Sequence, residues 1–180
     1  MKRATTIICA AAAATGFALS LPASGATQSR YQVQTGANMC TLSLPTTDTK
    51  VRPRATGYNN EGTTSAFVIC SFDPPPGAFG VLLTEFKSVV LYLRSLDGVP
   101  RDVTCTGVNT IPAAAVPQYV SRTHSVSATT TETQFSWVPG DFGGTSTIPY
   151  SGGVFSVTCN LPPQTSVEFG GAYSDEDIGN

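Results

Sequence analysis

SVVLYLRSLDGVPRDVTCTGVN, residues 88–109, decides the fold class. Ser88 to Leu96 is an apolar run rich in β-branched residues, of the kind that packs well on a pleated surface. From Arg101 to Asn109 the residues Val103, Cys105 and Gly107 alternate with polar neighbours, which is the period of a strand buried on one face. Asp97-Gly98 between them is a turn signal, so the stretch reads as a β-hairpin.

Working outward, the same signals repeat. Thr63 to Phe72 (TTSAFVICSF) is a buried strand stopped by Asp73 and the Pro74-Pro75-Pro76-Gly77 run. Glu132 to Val138 places Phe135 and Trp137 on one side and Gln134 and Ser136 on the other, and Gly153 to Leu161 repeats this with Phe155, Val157 and Cys159. Tyr119 to Thr129 is a polar strand with Val120 and Val126 on one face, while Val167, Phe169 and Tyr173 mark a last strand before an acidic tail. Weaker strands are expected at Thr41 to Leu44 and Lys50 to Tyr58. Only Phe79 to Val89 has apolar residues at helical spacing, and Gly80 with Val89-Val90 limits it to one turn. Eight to nine short strands separated by Gly, Pro and Asn turns predict an all-β, antiparallel sandwich, jelly-roll or immunoglobulin-like.

The first 26 residues read as a segment outside that fold. Lys2 and Arg3 precede an apolar stretch from Ile7 to Leu21, and Ser24-Gly25-Ala26 is a small-residue cleavage site, the pattern of a secretory signal peptide. Pro22 breaks the apolar run before a full span of ~20 residues, and Cys9 lies too early for a lipoprotein cysteine. The chain from residue 27 to 180 is expected to be a single domain without a membrane span, secreted or periplasmic and monomeric. It keeps four cysteines, Cys40, Cys70, Cys105 and Cys159. An even number in an exported chain favours two disulfides. Of the three connectivities four cysteines allow, the matching Val-Thr-Cys settings of Cys105 and Cys159 favour Cys40 with Cys70 and Cys105 with Cys159.

Charged residues make up 12% of the chain, against roughly 25% in ordinary soluble domains. In their place stand 42 Ser and Thr residues. With 10 basic residues scattered against 12 acidic ones, the basic footprint of a nucleic-acid binder is missing. No phosphate-binding, dinucleotide or zinc-protease motif occurs, so no cofactor or metal is expected. His124, the single histidine, has no Gly-x-Ser-x-Gly partner motif and reads as a strand residue on a solvated face. Glu85, Asp141 and Glu168 are the candidates for a carboxylate-dependent hydrolase. The Asp175-Glu176-Asp177 tail offers oxygen ligands for Ca²⁺, although terminal charge runs are usually just solvated.

The long loop Val138 to Gly153 has two readings. Exposed aromatic faces beside hydrogen-bonding groups suit a sugar, and Trp137, Asp141, Phe142 and Tyr150 are the residues available for a ligand-binding loop. Against this, the alternation with Phe135 places Trp137 in the core and leaves Phe142 and Tyr150 to pin the loop.

Tyr58-Asn59-Asn60, Val68-Ile69-Cys70, Val103-Thr104-Cys105 and Val157-Thr158-Cys159-Asn160-Leu161-Pro162-Pro163, in that order, resemble a group of small exported proteins of proteobacteria and myxobacteria with no assigned activity. The resemblance covers roughly residues 58 to 177 and departs after Cys70, where Ser71-Phe72-Asp73 intervenes before the prolines. It implies a disulfide-stapled sandwich, and the absence of an Asn-x-Ser/Thr site agrees with a bacterial source. The expected function is a non-catalytic binding or surface-interaction module for carbohydrate or another envelope component. A small hydrolase and a structural or adhesive subunit are the alternatives.

Overall fold

In a computed structural model, residues 27–43, 50–72, 85–110, 116–149 and 155–177 are described. They form two antiparallel sheets packed as a sandwich. The strands are β1 (Thr27–Thr35), β2 (Cys40–Leu42), β3 (Val51–Arg54), β4 (Gly57–Asn60), β5 (Ala66–Phe72) and β6 (Phe86–Ser95), followed by β7 (Arg101–Asn109), β8 (Gln118–Val126), β9 (Thr133–Trp137), β10 (Phe155–Leu161) and β11 (Thr165–Asp177). A single helical turn, α1 (Gly36–Met39), and a 3-10 turn, Pro139–Phe142, interrupt them. The six-stranded sheet runs β3-β4-β11-β6-β9, with β1 lying beside the C-terminal part of β11. The five-stranded sheet runs β2-β5-β10-β7-β8.

Eleven strands among the described residues correct the expected eight or nine. Lys50 to Tyr58 is a hairpin, β3 and β4, rather than one strand, and β1 has no counterpart in the sequence reading. Of the segment considered for a helical turn, residues 79–84 lie outside the described part, and from Phe86 onward it is strand.

The expected hairpin at residues 88–109 is also corrected. β6 pairs with β11 and β9 in one sheet, whereas β7 pairs with β10 and β8 in the other. Five residues, Leu96 to Pro100, separate them, enough to step the ~10 Å between packed sheets. The corner is held by side chains: Asp97 Oδ1 accepts from Val99 N–H at 3.0 Å and from Arg101 Nη1 at 2.7 Å, while Ser95 Oγ accepts from Gly98 N–H at 2.9 Å. Gly98 has φ +79°, a left-handed conformation that glycine adopts without strain. Ser95 N–H and Leu96 N–H bond Ala128 and Gln164 carbonyls, so the corner is tied to other segments instead of closing on itself.

Alternation explains which residues fill the interior. Val89, Leu91 and Leu93 of β6 and Phe135 and Trp137 of β9 meet Val68 and Cys70 of β5, Val103 and Cys105 of β7 and Val157, Cys159 and Leu161 of β10, all fully buried. Phe155 is the hub, with edge-on contacts to Phe72, Phe86, Trp137 and Phe142 at 5.6 to 6.5 Å. Gly107 makes room for the indole of Trp137, since a Cβ there would stand 2.6 Å from Nε1. That Nε1 donates to Val120 O at 2.9 Å and Arg122 Nε donates to Ser136 O at 3.3 Å, which closes the sandwich between β8 and β9.

Both disulfides form as expected, Cys40 with Cys70 and Cys105 with Cys159. Each joins residues directly opposite one another on neighbouring strands of the five-stranded sheet. They fasten one sheet internally, unlike the bridge between sheets of antibody domains. With sequence separations of 30 and 54 residues, each contributes roughly 3.5 to 4 kcal/mol in the chain-entropy account.

Candidate functional site

Phe142, expected as a candidate ligand contact, lies in the core at 4% exposure with its ring 5.6 Å from Phe155. It pins the loop and leaves no face for a ligand. Asp141 caps the 3-10 turn, accepting from Val138 N–H at 2.9 Å and from Arg122 Nη2. Trp137 is fully buried, and Tyr150 lies outside the described residues. The described part of the loop, residues 138–149, is therefore anchored in the core, where Ile148 is buried as well.

The other candidates sit in separate settings. Glu85 accepts from the Thr147 hydroxyl, and Glu168 of β11 pairs with Arg94 of β6 at 3.2 Å. His124 is exposed and packs edge-on against Phe135 at 4.7 Å, on the face of β8 shared with Val120 and Val126. Asp175 and Glu176 belong to β11, where successive side chains point to opposite faces. Asp175 binds Lys87 Nζ at 2.7 Å and the Ser29 hydroxyl at 2.8 Å, and Glu176 binds Arg30 at 2.7 Å. Among the described residues no group of three or more His, Cys, Asp or Glu side chains converges.

The structure assembles a different site, on the outer face of the six-stranded sheet. In β11 Gly170, Ala172 and Ser174 face inward, so Phe169, Gly171 and Tyr173 face out. Tyr173 lies opposite Tyr31 of β1, and Phe169 lies opposite Tyr92 of β6. Each pair stacks: Tyr31 on Tyr173 with centroids 4.0 Å apart and planes at 18°, and Tyr92 on Phe169 at 4.4 Å and 22°. Gly171 forms the floor between them, because a Cβ there would stand 2.6 to 2.7 Å from the Tyr31 ring and its hydroxyl oxygen. Val90, next to Gly171 on the same face, is 6% exposed.

Partial burial raises the Tyr31 hydroxyl pKa, and the neighbouring hydroxyls of Tyr92 and Tyr173 raise it further. Tyr31 and Tyr173 nevertheless remain 40% and 41% exposed, and Val33 beside them 54%. An ion pair stands at each end of the strip: Lys87 with Asp175 beyond Tyr173, and Arg94 with Glu168 beside Phe169. Lys87 and the Ser29 hydroxyl hold the Asp175 carboxyl below its ordinary pKa, so it is ionised at neutral pH. The arrangement offers a ridge of aromatic surface bounded by groups that donate and accept hydrogen bonds, which is suited to the apolar faces and hydroxyl rims of sugars.

The opposite outer face has another character. Thr104 pairs with Thr123 and Thr106 with Ser121, each at 2.8 Å, so these hydroxyls satisfy one another. Phe67 and Tyr119 on that sheet are 56% and 65% exposed. No ring stacking is found for either among the described residues.

Sequence reasoning missed the strip. Its aromatic residues come from three strands at positions 31, 92, 169 and 173, with no local motif joining them. The one usable signal was Phe169-Gly170-Gly171-Ala172-Tyr173, two aromatic residues of one parity around a glycine. No family model, no curated protein and no solved structure matches this chain.

Proposed function

We propose that the protein is an exported, non-catalytic binding module, and that the outer face of the six-stranded sheet recognises carbohydrate of the cell envelope or its surroundings. The observation that carries this reading is the pair of aromatic stacks beside Gly171 on one outer sheet face, in which Tyr31 and Tyr173 are 40% and 41% exposed. Two disulfides support an oxidising compartment, since such bonds persist outside the cytosol. Asp141 and Glu168, two of the carboxylates considered for a hydrolase, are each engaged by an arginine.

The test is depletion of the purified protein by insoluble glycans and washed cell envelopes. A Tyr31→Ala/Tyr173→Ala variant is compared with Phe67→Ala/Tyr119→Ala on the opposite face. Depletion of the native protein and of the opposite-face variant, with the strip variant left in solution, is the expected result. Equal depletion of both variants removes the strip from consideration as the binding surface.

A further inference from the structure

We infer that the ligand of the strip is an uncharged, linear polysaccharide, held over several sugar units along the line from Tyr173 to Phe169. This rests on the binding role proposed above and adds the class of polymer. Three observations carry it.

The first is length. Tyr173 and Phe169 are four residues apart on one strand, which is ~13 Å at the rise of an antiparallel strand. Tyr31 and Tyr92 widen the line to either side, onto the two strands that flank β11. That exceeds one sugar ring and matches a short stretch of chain. The second is charge. The two cations at the ends, Lys87 and Arg94, are each matched by a carboxylate, Asp175 and Glu168, so the strip sums to zero. A ligand carboxylate or phosphate would approach a cation already paired and a carboxylate beside it, while a cationic polymer meets the reverse. Neither gains what a neutral chain does not, and both lose the apolar contact that charged substituents keep hydrated. The nearby Arg52 and Arg54 share Glu61 and leave one excess positive charge, on the β3 edge rather than on the strip.

The third concerns hydrogen bonding at the Phe169 end. Among the described residues, Arg94 Nε has no hydrogen-bond partner, while Nη2 of the same guanidinium pairs with Glu168 Oε1 at 3.2 Å and Nη1 donates to Thr129 O at 3.3 Å. The unsatisfied N–H is a donor that the oxygen of a sugar hydroxyl can accept from. The atom is enclosed, so reaching it takes a small tilt of the guanidinium that keeps the pair with Glu168. Glycan binding of this kind is driven by stacking and neutral hydrogen bonds, and is screened little by salt.

The experiment measures binding of the mature protein to matched insoluble polymers: cellulose against its carboxylated form, and chitin against its de-acetylated, cationic form. Each is assayed at about 0.05 M and about 0.5 M NaCl. Expected is retention on at least one neutral polymer that changes by less than about two-fold across that range. Soluble oligosaccharides of that polymer should compete better with each added unit, and the monosaccharide should not compete. Retention only on a charged polymer, lost at high salt and weakened by Tyr31→Ala/Tyr173→Ala, overturns the neutral-ligand inference and leaves the strip as the binding surface. Retention on a neutral polymer that the double variant does not weaken overturns both. So does a protein that binds no polymer, or one that elutes as a dimer through this face in a sizing experiment.

Discussion

Gly171 and Gly107 show how one absent side chain serves two purposes. At each, an added Cβ would stand less than 3 Å from an aromatic ring. At Gly107 that ring is Trp137, fully buried and fixed by its bond to Val120 O, so Gly107→Ala is expected to cost about 1 to 3 kcal/mol in chemical denaturation, through overpacking. At Gly171 the ring is Tyr31, 40% exposed and free to swing outward. Gly171→Ala should therefore cost less than about 1 kcal/mol yet reduce glycan retention at least as much as Tyr31→Ala, because the added Cβ displaces the Tyr31 ring. A large loss of stability with unchanged retention would reverse these roles. Neither glycine announces its neighbour in the sequence. Gly107 follows the strand alternation that begins at Val103, but the tryptophan above it is 30 positions away.

At the scale of the element, legibility followed burial. β9 and β10 were readable because one face is apolar throughout, Phe135 and Trp137 in the first and Phe155, Val157, Cys159 and Leu161 in the second. β1 was not, because its inward positions carry Arg30, Gln32 and Gln34, and only Tyr31 and Val33 mark its outer face. It is held by its ladder with β11, the Tyr31 stack and the Arg30 and Ser29 contacts rather than by a buried side. The corner between β6 and β7 misleads for a different reason: Asp97-Gly98 reports a bend and not where the bend leads. Arg101 and the Val99 N–H hold the Asp97 carboxyl far below its usual range, and Arg54, foremost, with Arg52 lowers Glu61 to about 2. Carboxyls depressed in the folded state stabilise it above their unfolded pKa of ~4 and cease to do so as the pH falls through the folded value. The melting temperature should accordingly drop between about pH 4 and about pH 2. Asp97→Asn should melt lower at neutral pH and show a shallower fall on acidification. A parallel fall in both proteins would assign the acid sensitivity elsewhere.

For the whole molecule, the arrangement of staples sets what reduction does. Both disulfides belong to the five-stranded sheet, while the strip belongs to the six-stranded one. Replacing Cys105 and Cys159 by alanine should cost about 2 to 5 kcal/mol, and below the melting temperature of the variant glycan retention should persist. Mass spectrometry of the exported protein is expected to begin at Thr27 and to show the loss of four hydrogens that two disulfides require. The fold class and the cysteine pairing were legible because buried strands and oxidised cysteines leave local marks. The surface that joins β1, β6 and β11 was not, because its geometry is created only when distant strands pair.

The most direct measurement of the central claim is an amide NMR titration of the mature protein with a soluble oligosaccharide of whichever glycan depletes it. The account predicts shifts concentrated at Tyr31, Val33, Tyr92, Phe169, Gly171 and Tyr173, with the amides of Thr106, Tyr119 and Thr123 unmoved. Shifts centred on that second group, or on the 139–149 loop, would contradict it.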